Sequence, residues 1–292
     1  MTLKLNDFGF LQLDPIPTNE SLQDFYESQY YHLIKSGGRA SDLKKLMEKS
    51  SAENSEYEWL SKTLYLDCLD AILENSCGES PVLDVGCGTG GLVEFLLEAG
   101  IHVEGVEPSR EAVEMCIKKG LSVSQGTLQN IQEHPDSKAK YRALILLNVL
   151  EHIPAPIELL ASVKPLLDDN GLLILRVPND FSEIQFAAEQ IVSKKHWWVA
   201  NPDHINYFNL KSINKIFAKL GFKIVDFYSD FPVEFFILFG MNYIDEPNFG
   251  SEMHKMRCNF ELNIPKDLRR KIYRQLVEIN VGRNLFIVAR SL

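Results

Sequence analysis

The sequence predicts an α/β protein with a doubly wound, seven-stranded and mostly parallel sheet. Two observations predict this fold class. From residue 81 onwards, short apolar runs alternate with amphipathic segments of about ten to fifteen residues, which is the pattern of βαβ units. The run "YRALILLN" is apolar almost throughout, as expected of a strand that helices cover on both faces.

Seven segments are predicted as the strands of this sheet, with helices between most of them. In order, the strands are "PVLDVG", "HVEGVE", "LSVSQG", "YRALILLN", "GLLILRVP", "FKIVDFYSDF" and "NLFIVAR". A glycine closes the predicted helix "GGLVEFLLEAG", and a serine caps the predicted helix "SREAVEMCIKKG". The segment "APIELLASVKPLLDDNG" predicts a further helix, which Pro165 should kink.

The chain divides into an N-terminal helical extension and a larger domain that holds the sheet. Residues 1–79 are predicted to form a helical cap, because "NESLQDFYESQYYHLI" and "SEYEWLSKTLYLDCLDAILENS" have helical spacing. Residues 80–292 form the second domain. Within it, the aromatic-rich residues 179–209 are predicted to be a lid-like segment, and residues 232–281 are an insertion between the sixth and seventh strands.

Composition and charge narrow the classes of function. The 292 residues include 40 acidic and 30 basic side chains, a formal net charge of -10, so we expect no nucleic-acid partner. The apolar runs are far shorter than a membrane span and the N-terminus has no signal-peptide pattern, which predicts a cytoplasmic protein without a membrane span. The 5 cysteines are scattered and form no C-x-x-C pair, which predicts free thiols and no bound metal.

One basic segment, "KDLRRKIYR" at residues 266–274, stands out from the acidic background. Because Leu268, Ile272 and Leu276 recur every four residues, we expect a helix whose basic side chains form the solvated face. A patch for a nucleic acid or another anionic partner is the alternative.

The stretch "VLDVGCGTGG" at residues 82–91 predicts a ligand site. Glycine lets the backbone approach a ligand closely, and ligands of open parallel sheets bind beyond the carboxyl ends of the strands. The glycines only partly follow the dinucleotide fingerprint. Asp84 stands two residues before the first glycine, where its carboxylate would lie near a dianionic pyrophosphate. It therefore favours a ligand with a cationic amino-acid end.

The segment "VLDVGCGTG" resembles the first motif of the class I S-adenosylmethionine-dependent methyltransferases. "HVEGVEPS" is similar to the second strand of that family with its ribose-binding acid, and "YRALILLNVLEHIP" to the fourth strand with its "LEH" continuation. "NGLLILRVPN" is similar to the fifth strand. The resemblance implies a Rossmann-like sheet, S-adenosyl-L-methionine as the cofactor and methyl transfer as the reaction.

The resemblance also implies which residues bind the cofactor. They are Asp84, Gly86, Gly88, Gly90, Glu107, Pro108, Thr127 and Asn148. Asp84 would favour the ammonium group of the methionine moiety. Glu107 would accept both ribose hydroxyls, or else only mark the entry of the next helix. Thr127 departs from the family pattern, since an acid that accepts the adenine amino group is common there, and Asn148 would lie beside the transferable methyl group.

Two histidines are candidates for a general base. Methyl transfer from a sulfonium is an in-line displacement, for which the protein supplies alignment and, with a hydroxyl acceptor, a base. His204, next to Asp203 in "HWWVANPDHINYF", is the preferred base, and His152 in the "LEH" segment is the second candidate. In the alternative, both histidines stabilise loops while the neighbouring aromatic side chains form a small satellite core.

These observations predict an enzyme that uses S-adenosyl-L-methionine to O-methylate a small-molecule or glycan-like acceptor. The alternatives are an N- or C-methyltransferase, a nucleotide-cofactor oxidoreductase, and a cofactor-binding regulatory or scaffold protein without chemistry. In the insertion, "EFFILFGMNY" either caps the acceptor pocket or forms a homodimer contact. His254 and Arg257 of the insertion are candidates for binding an anionic group of the substrate.

Overall fold

The structure is a computed structural model of the chain. It describes residues 2–18, 22, 51–133, 140–200 and 202–292, with the backbone alone for residues 51–54, 132 and 133. The predicted helix "NESLQDFYESQYYHLI" lies outside the described residues, except for Leu22.

Helices and strands alternate through most of the described chain. In order they are β1 (Thr2–Leu5), β2 (Leu11–Asp14), α1 (Ser51–Lys62), α2 (Leu64–Asn75), β3 (Val82–Val85), α3 (Gly91–Glu98), β4 (Val103–Glu107), α4 (Arg110–Lys118), β5 (Val123–Gln125), α5 (Leu128–Glu133), β6 (Tyr141–Leu147), α6 (Pro156–Val163), β7 (Leu167–Pro178), α7 (Glu183–Glu189), β8 (Asn206–Tyr207), α8 (Leu210–Leu220), β9 (Phe222–Tyr228), α9 (Glu234–Leu238), α10 (Phe249–Asn263), α11 (Lys266–Glu278) and β10 (Asn284–Ser291). Two short 3₁₀ segments cover Leu150–His152 and Lys164–Leu166.

The main sheet has seven strands in the order β5-β4-β3-β6-β7-β10-β9. The first five pair in parallel, and β10 is antiparallel to both of its neighbours. The prediction of a seven-stranded, mostly parallel sheet with these seven segments as its strands is confirmed. The strand order reverses between β3 and β6, so a ligand site is expected beyond their carboxyl ends.

Apolar side chains cover both faces of this sheet. In β6, Leu144 and Leu146 pack into the core on one face, whereas Ala143 and Ile145 pack into the core on the other. All four side chains are fully buried, as predicted for "YRALILLN". Burying a Leu or Ile side chain contributes about 1.5–3 kcal/mol relative to leaving it exposed, so the two cores hold the carboxyl ends of the strands in fixed positions.

The helix before the fifth strand of the main sheet ends earlier than predicted. It stops at Val163, and a 3₁₀ turn over Lys164–Leu166 leads directly into β7, which begins at Leu167. Pro165 therefore helps to end the helix instead of kinking it, because proline lacks the N–H that a continuing helix requires. The residues "LDDNG", predicted as helix, belong to the strand.

Among its described residues, the N-terminal segment has the helices α1 and α2 and also a β-hairpin that the sequence analysis did not predict. Strands β1 and β2 pair antiparallel, and β2 pairs with β8 to make a separate three-stranded sheet. Gln12 donates a hydrogen bond to Asn206 Oδ1 at 2.8 Å. Asn206, which is fully buried, donates in turn to the carbonyls of Leu150 and Ile153. The hairpin thus braces the segment that follows β6.

The insertion between β9 and β10 forms three helices, α9 to α11, and the prediction for the basic segment within it was wrong. Arg269 is 3% exposed, whereas Leu268 and Ile272 are 49% and 36% exposed. The reason is Asp67 in α2, which pairs with Arg269 at 2.7 Å and with Arg270 at 2.6 Å. Buried ion pairs therefore turn the basic side of α11 towards the protein.

None of the helices in the described part of the chain is long and apolar enough to cross a membrane.

Candidate active site

The glycine turn after β3 has two packed glycines and one that faces open space. Gly86, Gly88 and Gly90 all have positive φ angles, of 72°, 54° and 78°. A Cβ on Gly86 would lie 2.7 Å from Val149, and one on Gly90 would lie 2.6 Å from Leu121. A Cβ on Gly88 would meet no atom within 4 Å. The middle glycine therefore presents bare backbone to the space beyond the strand.

Glu107 ends β4 and holds this turn in place. Its carboxylate accepts hydrogen bonds from the backbone N–H of Gly88 at 3.0 Å and of Ser109 at 2.9 Å. Burial raises the pKa of Glu107, and the two backbone hydrogen bonds oppose that rise. Each carboxylate oxygen keeps further lone pairs for a ligand donor. Pro108 follows, and its carbonyl accepts from Gln125 at 3.3 Å.

Asp84 presents a buried carboxylate that accepts no hydrogen bond from any residue that the structure describes. It lies within β3, between Gly105 and Ile145 of the neighbouring strands, and is 3% exposed. Burial, together with repulsion from Glu107, raises the pKa of Asp84 to about 7. A carboxylate in such a position gains most from a cationic partner, because its own desolvation is uncompensated.

Thr127 and Asn148 follow two other strands of the main sheet, β5 and β6. Thr127 is exposed at the start of α5, and its backbone N–H and hydroxyl both donate to Asn130 Oδ1, at 2.8 and 3.0 Å. Asn148 follows β6 with a positive φ of 56°, and its side-chain oxygen accepts from Arg176 at 2.6 Å. Both residues therefore lie at the carboxyl edge of the sheet, and their contact with a cofactor stays a prediction.

The two histidines predicted as catalytic lie side by side. The ring centroids of His152 and His204 are 4.8 Å apart, with the rings almost perpendicular. His152 Nδ1 lies 2.8 Å from the carbonyl oxygen of Asp203. Because a carbonyl only accepts, Nδ1 carries the proton in this contact and Nε2 carries the lone pair of the neutral ring.

Glu151 completes a cluster with these histidines that could hold a metal ion. One ligand atom from each of Glu151, His152 and His204 lies within 4.8 Å of the others. Glu151 is 1% exposed, and burial raises its pKa to about 8. Such a cluster also forms without an ion, and the expectation of no bound metal stays a prediction.

The aromatic side chains of the lid-like segment pack mainly against one another. Trp198 and Tyr207 are buried, and their rings lie 5.5 and 6.0 Å from that of Phe181. Phe208 is fully buried and packs on Phe10 at 4.7 Å. Most of these rings therefore form core, which was the alternative interpretation.

A polar network that sequence reasoning missed joins the ends of β6, β7 and β9. Arg176 donates to Asn148 at 2.6 Å and to Asp230 at 2.7 Å. Asp230 also accepts from Arg257 of the insertion at 3.2 Å. The one local signal was Arg176 itself, a charged residue inside the otherwise apolar strand "GLLILRVP".

Comparison with known proteins assigns the family. The methyltransferase domain family matches residues 52–226, which is more than half of the chain. The chain belongs to the methyltransferase domain family. The prediction of a class I S-adenosylmethionine-dependent methyltransferase, an enzyme with a Rossmann-like sheet, is confirmed.

Among curated relatives, a ubiquinone biosynthesis O-methyltransferase from Haemophilus ducreyi is 35% identical over 106 residues. The match covers 34% of this chain and 45% of the relative. The chain therefore spans less than half of the length of that protein.

Two solved structures share the fold. One is a SAM-dependent methyltransferase from Archaeoglobus fulgidus, with a TM-score of 0.53, 19% identity and coverage of 90% of this chain and 100% of its own. The other is the 1,6-didemethyltoxoflavin-N1-methyltransferase of Burkholderia thailandensis, with a TM-score of 0.52, 14% identity and coverage of 97% and 94%.

Proposed function

We propose that this methyltransferase transfers a methyl group from S-adenosylmethionine to a hydroxyl oxygen of a small-molecule or glycan-like acceptor. The observation that carries the cofactor assignment is Asp84, a buried carboxylate that accepts no hydrogen bond from the described residues. It lies beside a glycine turn whose middle residue, Gly88, faces open space. A ligand with both a cationic end and a sugar fits this arrangement.

The residues at the carboxyl edge of the sheet bind different parts of this cofactor. Asp84 pairs with the ammonium group, the backbone at Gly88 meets the ribose side, and Glu107 accepts from the ribose hydroxyls. Thr127 offers its hydroxyl oxygen to the adenine amino group. When bound, the cofactor supplies a methyl group already activated by the sulfonium, so the chain needs no covalent nucleophile.

The pair of His152 and His204 supports oxygen as the acceptor atom. A hydroxyl loses a proton as its oxygen is methylated, and a positioned imidazole can take it up. We propose His204 as this base and His152 as its neighbour and second candidate. The contact of His152 Nδ1 with Asp203 leaves Nε2 as the accepting nitrogen of that ring. The named activity of the Haemophilus ducreyi relative, O-methylation, is consistent with this choice.

Removing the base is expected to lower turnover without weakening cofactor binding. His204→Ala should reduce kcat by about 10²- to 10⁴-fold, the usual contribution of general acid–base catalysis. The measurement is product formation on an acceptor fraction from cell extract, together with calorimetry of S-adenosylhomocysteine.

His152→Ala tests the second candidate in the same assay, and His102→Ala, an exposed histidine before β4, is the matched control. Near-normal turnover of both active-site variants would favour an N- or C-methyltransferase. Cofactor binding with no methylated product in any acceptor fraction would favour a regulatory or scaffold protein. Tight binding of NAD alone would favour an oxidoreductase.

Alanine substitutions of two glycines in the turn should separate an effect on the stability of the fold from an effect on cofactor binding. Gly90→Ala is expected to lower the free energy of unfolding by about 2–4 kcal/mol, because it combines a left-handed backbone with overpacking. Its Cβ would lie 2.6 Å from Leu121 and 2.9 Å from Cys116.

Gly88→Ala carries the same backbone cost of about 1–2 kcal/mol but adds no overpacking. It is expected to weaken S-adenosylhomocysteine binding on the order of tenfold or more, about 1.4 kcal/mol, since its Cβ enters the ligand space. Denaturant titration and calorimetry measure the two quantities. Equal affinities of Gly88→Ala and the native chain would contradict the proposed position of the cofactor.

We propose a cytoplasmic site of action without a nucleic-acid partner, and a homodimer through the insertion. The five free cysteines and the net charge of -10 support the first two points. The exposed apolar side chains of the insertion, such as Phe239 at 73% exposed, support the third.

A further inference from the structure

We propose that the cavity between α1, β7, β9 and α10 binds an anionic group of the methyl acceptor through Arg176 and Arg257. This inference rests on the proposed function, since it names a chemical feature of the acceptor. The acceptor class it selects is a ring compound that carries a carboxylate or a comparable anion.

The cavity is small, and aromatic rings form much of its wall. The rings of Trp59, Tyr228 and Phe286 line it. Aromatic walls of this kind favour a planar, partly apolar ligand.

The guanidinium of Arg176 has N–H donors at the cavity that no described residue accepts. A guanidinium carries five N–H donors, and Arg176 uses one towards Asn148 and one towards Asp230. Among the residues that the structure describes, none accepts from the other three. Its side chain is 14% exposed and lines the cavity, so these donors are available to a ligand that enters it.

Arg257 is held at the same carboxylate from the opposite side. Its guanidinium lies 4.9 Å from the ring centroid of Trp59 and donates to Asp230 at 3.2 Å. Burial alone would raise the pKa of Asp230, yet Arg176 and Arg257 hold that pKa below its usual range. Two guanidinium groups therefore share the one carboxylate of Asp230, and Arg257 also lies 3.4 Å from Glu261.

The other acids of the cavity are already engaged by donors. Glu261 accepts from Trp59 at 2.8 Å and from Tyr273 at 2.7 Å. Asp67 accepts from Arg269 and Arg270. The acids that line the cavity therefore each have donor partners within the protein.

The contact with Asn148 places this anion site next to the methyl-transfer point proposed above. Arg176 reaches Asn148 at the end of β6, one side chain away from the turn that holds the cofactor. The carboxylate of the cofactor's methionine moiety has the same chemistry as an acceptor anion. The experiment therefore has to distinguish these two sources.

The test compares benzoate with its neutral isostere benzamide as fragment probes. Binding of each to the complex of the protein with S-adenosylhomocysteine is measured by ligand-observed NMR titration. We expect benzoate to bind at least about tenfold more tightly, as charge-assisted hydrogen bonds to a guanidinium allow. Arg257→Met should remove this preference and leave the affinity for S-adenosylhomocysteine unchanged.

Arg274→Met is the matched control, because Arg274 pairs with Asp226 outside the cavity. It should keep the preference for benzoate. Equal binding of the two probes to the native complex overturns the inference, whether or not Arg257→Met folds. A loss of S-adenosylhomocysteine affinity in Arg257→Met with the preference retained also overturns it and assigns the site to the cofactor.

The proposed function fails in a different way, namely if the native chain does not bind S-adenosylhomocysteine at all.

Discussion

Replacing Asp84 with Asn is expected to weaken the binding of S-adenosylhomocysteine by on the order of 100-fold at pH 8. The ammonium group of the ligand then loses its buried carboxylate partner, and truncation of one side of such a pair costs about 2–5 kcal/mol. The amide has the same shape as the carboxyl group, so the strand and the turn keep their packing. Calorimetry of the native chain and the variant measures the difference.

The same substitution is expected to stabilise the ligand-free protein at pH 8. The pKa of Asp84 is raised to about 7, against about 3.9 in an unfolded chain. The folded state therefore favours the protonated carboxyl, and its contribution to stability is complete below about pH 4 and lost as the pH rises to about 7. Asn cannot ionise, so the variant gains on the order of 4 kcal/mol at pH 8 and little at pH 4.

The pH dependence of cofactor binding is a second test of the pairing between Asp84 and the ammonium group. In the native chain, affinity for S-adenosylhomocysteine should rise between pH 6 and pH 8, because the ammonium group pairs with the ionised carboxylate. In Asp84→Asn this rise should disappear. Glu74→Gln, at an exposed acid of α2, is the control and should change neither affinity nor stability. Unchanged affinity of Asp84→Asn would show that the ammonium group binds elsewhere.

Replacing Asp67 with Ala is expected to destabilise the fold by about 3–5 kcal/mol, because it leaves buried arginines without their carboxylate. Asp67 is 3% exposed and lies 2.7 Å from Arg269 and 2.6 Å from Arg270. Denaturant titration should show a lower midpoint with an unchanged slope.

The control for Asp67 is an exposed ion pair of the same part of the chain. Glu58 and Lys62 in α1 pair at 2.6 Å, and both side chains are 59% exposed. Glu58→Ala should change the free energy of unfolding by less than about 1 kcal/mol, as is usual for solvated pairs. Similar losses for Asp67→Ala and Glu58→Ala would mean that the contact between α2 and α11 is not a main support of the fold.

Local pattern was sufficient for the main sheet and for the position of the glycine turn after β3. A strand such as β6 carries its own signal, since almost all side chains in a doubly covered strand are apolar. The positions of Asp84, the glycines and Glu107 could also be predicted, because all of them lie within a short stretch of sequence that covers β3, the turn after it and β4. The backbone bonds from Gly88 and Ser109 to Glu107 are the direct result of that local geometry.

Features that depend on contacts between residues far apart in the sequence could not be predicted from local pattern. The basic face of α11 is buried because Asp67 lies opposite, about 200 residues earlier in the chain. Strand β8 has two residues and no pattern of its own, and it exists through its pairing with the hairpin. The cluster of Arg176, Asp230 and Arg257 brings together three separated segments. The sequence singled out Arg257, but it did not indicate that Arg176 and Asp230 lie beside it.

The three-stranded sheet links residues 2–14 to the two segments that carry His152 and His204. Gln12 binds Asn206, and Asn206 binds the carbonyls on either side of His152. The hairpin and these segments are thus one mechanical unit, although more than a hundred residues separate them. A chimera between relatives should exchange residues 2–14 together with β8, since a hairpin taken from one parent and a loop from the other would not share this buried contact.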